Sequence, residues 1–361
     1  MSRTAAAPLA LVTGGAGFIG TNVADRLLSR GHRVLIFDNL SRAGVRENLR
    51  WLREQHPRLL EVEAADIRDA DAVSRAVARA DSIFHFAAQV AVTTSLNDPL
   101  EDFEINTRGT LNVLEAMRRR QAAPPLILTS TNKVYGALED VELKRQAQRY
   151  VPVNTRVRCA GISESQPLDF HSPYGCSKGA ADQYVLDYVR SFGLPAMVFR
   201  MSCIYGPHQF GNEDQGWVAH FLIRAREGMP IAIFGDGCQV RDVLYVDDLV
   251  DALLLANGNA ERLAGRAFNI GGGPRNTLSL LELVALLEER LGRQVELEFN
   301  SWRRGDQRYY STDAGRFAAA TGWQAQTSPQ LGLERLQAWL ERSGRMPGVP
   351  KSPAARRSVS L

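Results

Sequence analysis

The feature that most constrains this chain is a glycine triplet near its start. Gly14, Gly17 and Gly20 form GxxGxxG between an apolar run at 9–13 and a helical pattern of Val23, Leu27 and Leu28 that stops at Gly31. An apolar stretch at 34–37 follows and ends in Asp38 and Asn39. Strand, glycine turn, helix and strand in this compass make a βαβ unit. Each glycine has a physical job in a dinucleotide site: Gly14 allows the tight turn, Gly17 lets backbone approach the pyrophosphate, and Gly20 permits close helix–strand packing. The helix N-terminus offers unpaired N–H groups and partial positive charge to the phosphates. Asp38 accepts hydrogen bonds from the adenine ribose and repels a 2′-phosphate, which favours NAD over NADP even with Arg42 close by. Asp66, at a later strand end, either bounds the adenine pocket or serves as a loop or cap residue.

The alternation continues. Strands are expected at 60–64, 82–86, 125–129 and 196–200, and helices at 72–80, 103–119 and 174–192. Residues 137–170 lack periodicity and read as an insertion or long loop. The repeated strand–helix order predicts an α/β fold, a Rossmann-type doubly wound parallel sheet. From about Gly206, Gly- and Asp-rich loops alternate with short helices such as 217–227 and 278–291, which predicts a smaller C-terminal α/β substrate lobe. The expected division is a dinucleotide-binding domain over 1–205, a lobe over 206–341, and a disordered basic tail over 342–361. The segments 246–256 and 268–270, a helix and a strand, are expected to cross between the two around 240–275.

Charge and cysteines exclude several functions. Lys and Arg number 43 against 40 Asp and Glu, and five of the cations stand in 342–361 without an acid, leaving residues 1–341 at net −2. A whole-surface nucleic-acid footprint does not fit that balance. Cys159, Cys176, Cys203 and Cys238 lack CxxC spacing and a completing histidine pattern, so no metal site is expected. No apolar run reaches the ~18–20 residues that span a bilayer. The expectation is a cytoplasmic protein with free thiols and no membrane association.

Tyr174 and Lys178 form YxxxK at the start of the expected helix 174–192. Residues four apart share a helix face, so phenol and ammonium point the same way. A tyrosine of pKa about 10 is a poor base at neutral pH. A neighbouring Lys⁺ and a positive nicotinamide ring favour the phenolate, which then removes a hydroxyl proton while hydride leaves the same carbon. Pro173 suits a first-turn position. Thr131, just beyond the strand at 125–129, is placed to hold the substrate hydroxyl beside the phenol.

These residues lie in longer runs: TGGAGFIG at 13–20, DNLSR at 38–42, STNKVYG at 130–136, YGCSK at 174–178 and RDVLYVDD at 241–248. Over residues 9–340 the chain resembles the extended short-chain dehydrogenase/reductases. Within them, QVAVTTS at 89–95, DFEIN at 102–106, LDFHSPYGCSKGAADQYVLDY at 168–188, DQGWV at 214–218 and RRGDQR at 303–308 are similar to the CDP-tyvelose (CDP-paratose) 2-epimerases. That resemblance implies an epimerase with tightly bound NAD that inverts carbon 2 of a nucleotide-linked hexose through a 2-keto intermediate. Tyr174 would be base and acid, Lys178 would also hold the nicotinamide ribose, and Thr131 would orient the reacting hydroxyl. NAD contacts would come from Gly14, Gly17, Phe18, Ile19, Gly20, Asp38, Asn39, Asp66 and Ile67, with Phe86, Ala87, Gln89 and Asn106 in second rank. Arg241 and Arg303 would grip the diphosphate, guanidinium forks matching phosphate oxygens. Gln215, Gln239, Asp306 and Arg308 would line the same site, and a homodimer paired through helices 103–119 and 174–192 is implied.

Three alternatives stand beside this one. A 4-epimerase shares the Tyr/Lys/Thr apparatus and differs in which hydroxyl the pocket presents, which spacing does not decide. A non-catalytic NAD-binding regulator would not need all three groups. A 4,6-dehydratase fits less well, because Asn132 and Lys133 stand where related dehydratases carry an Asp-Glu pair for elimination.

Overall fold

Seven strands whose side chains are largely apolar form one parallel sheet, in the order Ala267–Ile270, Ala196–Met201, Leu126–Thr131, Ser82–His85, Leu9–Thr13, Arg33–Phe37, Leu60–Glu63. The computed structural model describes residues 7–303 and 305–342. Every residue of Leu9–Thr13, Ser82–His85 and Leu126–Thr131 is buried, as parallel strands covered on both faces require. One face is packed by Val23, Leu27, Leu249 and Leu253, the other by Val73, Val77, Val113, Met117 and Val185.

The chain runs outward one way from Leu9–Thr13 through Arg33–Phe37, then returns to its other side at Ser82–His85. The crevice beyond Thr13 is therefore the topological switch point, where open α/β sheets bind ligands. The glycine loop sits there.

The chain past residue 206 is interleaved with this sheet. Helix Val246–Gly258 joins the apolar face that carries helix Phe18–Ser29, and Ala267–Ile270 becomes the sheet's edge strand. A third core, with Leu222, Ile231, Leu283 and Leu336, holds the remainder of the lobe, including helices Trp217–Glu227, Leu280–Leu291 and Pro329–Arg342. Arg342, expected in the basic tail, closes that last helix; the rest of the tail lies outside the described residues. Among the described residues no helix is long and apolar enough to cross a membrane.

The stretch 137–170 is more ordered than its lack of periodicity suggests. It holds a hairpin, Leu143–Gln146 with Arg149–Pro152, and a short helix Thr155–Ala160. Their partners are distant: Tyr150 N donates to Cys238 O (2.9 Å), Ile162 N to Ser311 O (2.7 Å), and Arg149 bonds Thr277 and Glu282. Strands held by other parts of the chain carry no local signature.

Candidate active site

The glycine loop is built by close backbone approach. Gly14 has φ +65°, and a Cβ there would lie 2.7 Å from Ala87 N; one on Gly20 would lie 2.4 Å from Gly14 O. Helix Phe18–Ser29 thus starts hard against the strand end, and no side chain caps its N-terminus at Gly17. Asp38 accepts from Ala16 N (3.1 Å) and Leu40 N (2.8 Å), tying the second strand to the loop, while burial raises its pKa. Asp66 is clamped by the guanidinium of Arg68 (2.8 and 2.9 Å) and by Asn39 (2.9 Å), which hold its carboxyl well below the usual range. Buried Ile67 packs its side chain against the backbone of Gly109.

Thr13 organises the next layer. Its hydroxyl oxygen accepts from Phe86 N and Ala87 N (both 3.2 Å), so its proton goes to His85 Nδ1 (2.6 Å). Nε2–H of His85 then donates to Thr110 (3.1 Å), whose hydroxyl donates to Asn106 O (2.6 Å). Burial and the nearby Lys178 charge push His85 down to about 3, so the ring is neutral. Asn106 sits on a π-helical turn, Glu104–Arg108, inside a helical run that begins at Pro99 rather than at the expected 103. Such turns recur at functional sites. Here the extra residue lets Asn106 Oδ1 accept from Gln89 N (2.9 Å) while its amide reaches Ser177 (3.0 Å).

Helix Ser172–Phe192 carries the tyrosine and lysine. Ser172 takes φ +64° directly ahead of Pro173, and its hydroxyl accepts from Gly175 N (3.2 Å). Tyr174 is 8% exposed and Lys178 5%. Tyr174 N donates to Ser95 Oγ (3.1 Å), and the Lys178 ammonium donates to Thr129 O (2.6 Å). Thr131, two residues on, lies beside Tyr174 and pulls its pKa down; its hydroxyl donates to Asn132 Oδ1 (3.4 Å) and accepts from Lys133 N (3.2 Å). The phenol is pushed up to about 12 by burial, against the pull of Thr131 and the more distant Arg42. Burial brings Lys178 down to about 8. In the protein alone, then, Thr131 is the main group favouring the phenolate. The Lys178 ammonium, expected to favour the phenolate together with a positive nicotinamide ring, is directed at the strand end.

On the lobe side, Arg241 is buried with its donors engaged: Nη1 by Val240 O (2.8 Å), Nη2 by Asp306 Oδ1 (2.7 Å) and by Gln307 O. Lys133, brought down to about 8 by burial and by Arg241, reaches Gly305 O (3.3 Å) and lies 3.7 Å from Asp306. Asn132 donates to Gln307 (3.1 Å), so the loop at 305–308 is pinned to the catalytic strand end. Arg303 stacks 3.8 Å over Phe234 and pairs with Glu213 and Asp214. Gln215 accepts from Arg42 across the crevice. Gln239 donates to Phe234 O (2.6 Å), and Arg308 lies over Trp302 and Tyr150.

The profile of the NAD dependent epimerase/dehydratase family matches residues 10–271. The chain belongs to that family. Similarity extends beyond the profile: a CDP-paratose 2-epimerase of Salmonella typhi is 45% identical over 336 residues, covering 91% of this chain and 98% of that protein. A UDP-glucose 4-epimerase of Thermotoga maritima, solved with UDP-glucose, superposes with TM-score 0.78 at 31% identity, covering 93% of this chain and 100% of that one. One from Thermus thermophilus, complexed with NAD, superposes at 0.75 and 33% identity over 91% of this chain and 97% of that one. The family member described here is thus an NAD-dependent enzyme of the sugar-nucleotide epimerase and dehydratase class, an extended short-chain dehydrogenase/reductase as its motifs suggest.

The residues present fit NAD. The Gly14–Gly20 cradle has no room for a side chain where the loop turns, the uncapped helix start faces it, and the Ser130 hydroxyl is buried between Thr129 and Thr131 without a protein partner. Gly14, Asp38, Phe86, Ala87, Gln89, Asn106, Thr131, Tyr174 and Lys178 converge on this crevice. Asn39 and Asp66 are joined at its rim. Sequence reasoning placed Arg42 near the cofactor but missed its contact with Gln215 and its charge on Tyr174, and it did not single out His85, Ser95, Asp102 or Ser177. Asp102 and Ser177 lie within the motifs that carry the family resemblance; nothing local marks His85, whose partners are remote.

Proposed function

We propose that this enzyme inverts carbon 2 of a nucleotide-linked hexose of the CDP-paratose/CDP-tyvelose type, passing through a 2-keto sugar. The observation that carries the reading is the buried Thr131–Tyr174 pair, with buried Lys178 one turn further along the same helix and Asn132 and Lys133 in place of an acidic pair. Bound NAD supplies reversible hydride acceptance at the sugar carbon. Thr131 orients the sugar hydroxyl, and Tyr174 Oη takes its proton and later returns one. Lys178 holds positive charge beside them. Without a carboxylic acid next to Thr131, elimination of water has no proton donor, and the ketone survives to be reduced on its other face. Arg241, Arg303 and Arg308, with Gln215, Gln239 and Asp306, form the diphosphate and sugar side of the pocket, and the enzyme acts as a homodimer. The 45% identity to the Salmonella typhi 2-epimerase supports the choice of carbon 2.

The test is a panel of CDP-, GDP-, UDP- and dTDP-hexoses followed by NMR in deuterated water. Inversion at carbon 2 without solvent deuterium there is expected. Inversion at carbon 4 alone would replace this reading with a 4-epimerase, and loss of water would make it a dehydratase.

A further inference from the structure

Asp102 is wholly buried on helix Pro99–Phe103. An interior carboxylate is costly unless a cation compensates it. The contrast with Asp182 is direct: that acid is gripped by Arg200 at 2.8 and 2.9 Å, whereas Asp102 forms no ion pair among the described residues. Its contacts run into the catalytic helix. Ser177, between Tyr174 and Lys178, donates its hydroxyl to Asp102 Oδ2; Asn106 donates to Asp102 Oδ1 (3.3 Å) and to Ser177 Oγ (3.0 Å). Asn106 in turn holds Gln89 N (2.9 Å) in the loop after Ser82–His85.

The charged and titratable groups facing this cluster are few. Burial pushes the Asp102 carboxyl up, the Ser177 hydroxyl, the Lys178 charge and the Asn106 amide pull it back down, and Tyr174 feels it as a neighbouring negative charge. From the other elements, helix Val92–Asn97 presents the neutral Ser95 hydroxyl and His85 is neutral; Asp182, although paired with Arg200, also supports the Lys178 charge and does so more than Asp102, and Arg42 acts on Tyr174 as a positive charge.

We propose that Asp102 is a positioning residue for the Tyr174–Lys178 pair: through Ser177 and Asn106 it ties the catalytic helix to the loop at Gln89, and as a second counter-charge beside Asp182 it helps keep Lys178 an ammonium. This rests on Tyr174 and Lys178 being the proton-handling pair. A negative charge at 102 strengthens proton binding at both. Removing it lets the phenol ionise earlier and lets the ammonium be lost earlier, so both limbs of the activity profile move toward lower pH.

Asp102→Asn keeps the shape and an acceptor for Ser177 while deleting the charge. Expected is a shift of both limbs of turnover against pH by on the order of one unit, with NAD still bound. Ser177→Ala keeps the charge and should lower kcat several-fold without moving either limb. A uniform fall in kcat for Asp102→Asn with unmoved limbs would show a packing role only and overturn the proposal. So would equal limb shifts in Ser177→Ala. Should Asp102→Asn fail to fold, nitrogen-15 NMR of the Lys178 side chain in the wild-type holoenzyme still decides: a neutral amine at pH 7 refutes the counter-charge. That titration needs no sugar, so it stays informative even if the sugar panel gives no product and the catalytic reading itself falls.

Discussion

Tyr174 and Thr131 stand 43 positions apart in the chain and share one buried pocket. Burial pushes the phenol up to about 12, so the group is a resting acid that Thr131 and the occupied site must draw toward its anion. Tyr174→Phe removes the only oxygen in that position while leaving the glycine cradle untouched. Turnover should fall by at least ~10²–10⁴-fold, the usual worth of a placed acid–base group, with bound NAD, read by its absorbance after denaturation, unchanged. Retained turnover would remove Tyr174 from the chemistry. Thr131, Tyr174 and Lys178 were legible because YxxxK on a helix and a Ser/Thr run at a strand end are local patterns. His85 and Asp102 were not, since their roles come from contacts across the chain: Ser177 meets Asp102 over 75 positions and Thr13 meets His85 over 72.

Among elements, helix Phe18–Ser29 shows how packing overrides intrinsic preference. Alanine in place of a helical glycine ordinarily stabilises by up to ~1 kcal/mol. At Gly20 the new Cβ would lie 2.4 Å from Gly14 O and 2.6 Å from Gly15 Cα, both backbone, so no side chain can yield and the helix must lift from the strand. Gly20→Ala should therefore destabilise by ~1–3 kcal/mol and weaken NAD retention, read by thermal melting and cofactor content. Gly258→Ala is the control: the last residue of Val246–Gly258 has nothing within 4 Å of its Cβ, and this change should leave melting unchanged or raise it. Boundaries, by contrast, escape sequence logic. The helix expected at 103–119 starts at Pro99 and contains a π turn, and the hairpin in 137–170 exists because distant backbone groups pair with it.

For the whole molecule, the doubly wound sheet was readable because buried parallel strands are apolar runs, while the interleaving of the lobe was settled by which faces needed cover. Two consequences are testable at this scale. Burial holds His85 down to about 3 and His208 and His220 down to about 4, against about 6.5 in an unfolded chain. Between pH ~6.5 and ~4 the unfolded chain binds more protons than the folded one, so stability is full above that window and falls as pH drops through it. Melting temperature should decline over that range, and less steeply in His208→Gln; a parallel decline in wild type and variant would exclude His208 as a contributor. The second consequence concerns assembly. Leu96, Leu100, Phe103, Tyr184 and Phe192 are all exposed, Leu100 by 77%, and they stand on helices Val92–Asn97, Pro99–Phe103 and Ser172–Phe192, which pack together. Scattered apolar residues on a surface need no explanation, but several on adjoining helices fit the homodimer proposed above. A second copy can cover it with the same patch, burying self-complementary surface about a two-fold axis. Sedimentation should give a dimer for the wild type and a monomer for Leu100→Glu, since a carboxylate there would be desolvated twice in a two-fold interface. Because Asp102 and Ser177 lie on these same helices, one layer behind the patch, the monomer should also turn over more slowly. A fully active monomer would separate assembly from the catalytic site.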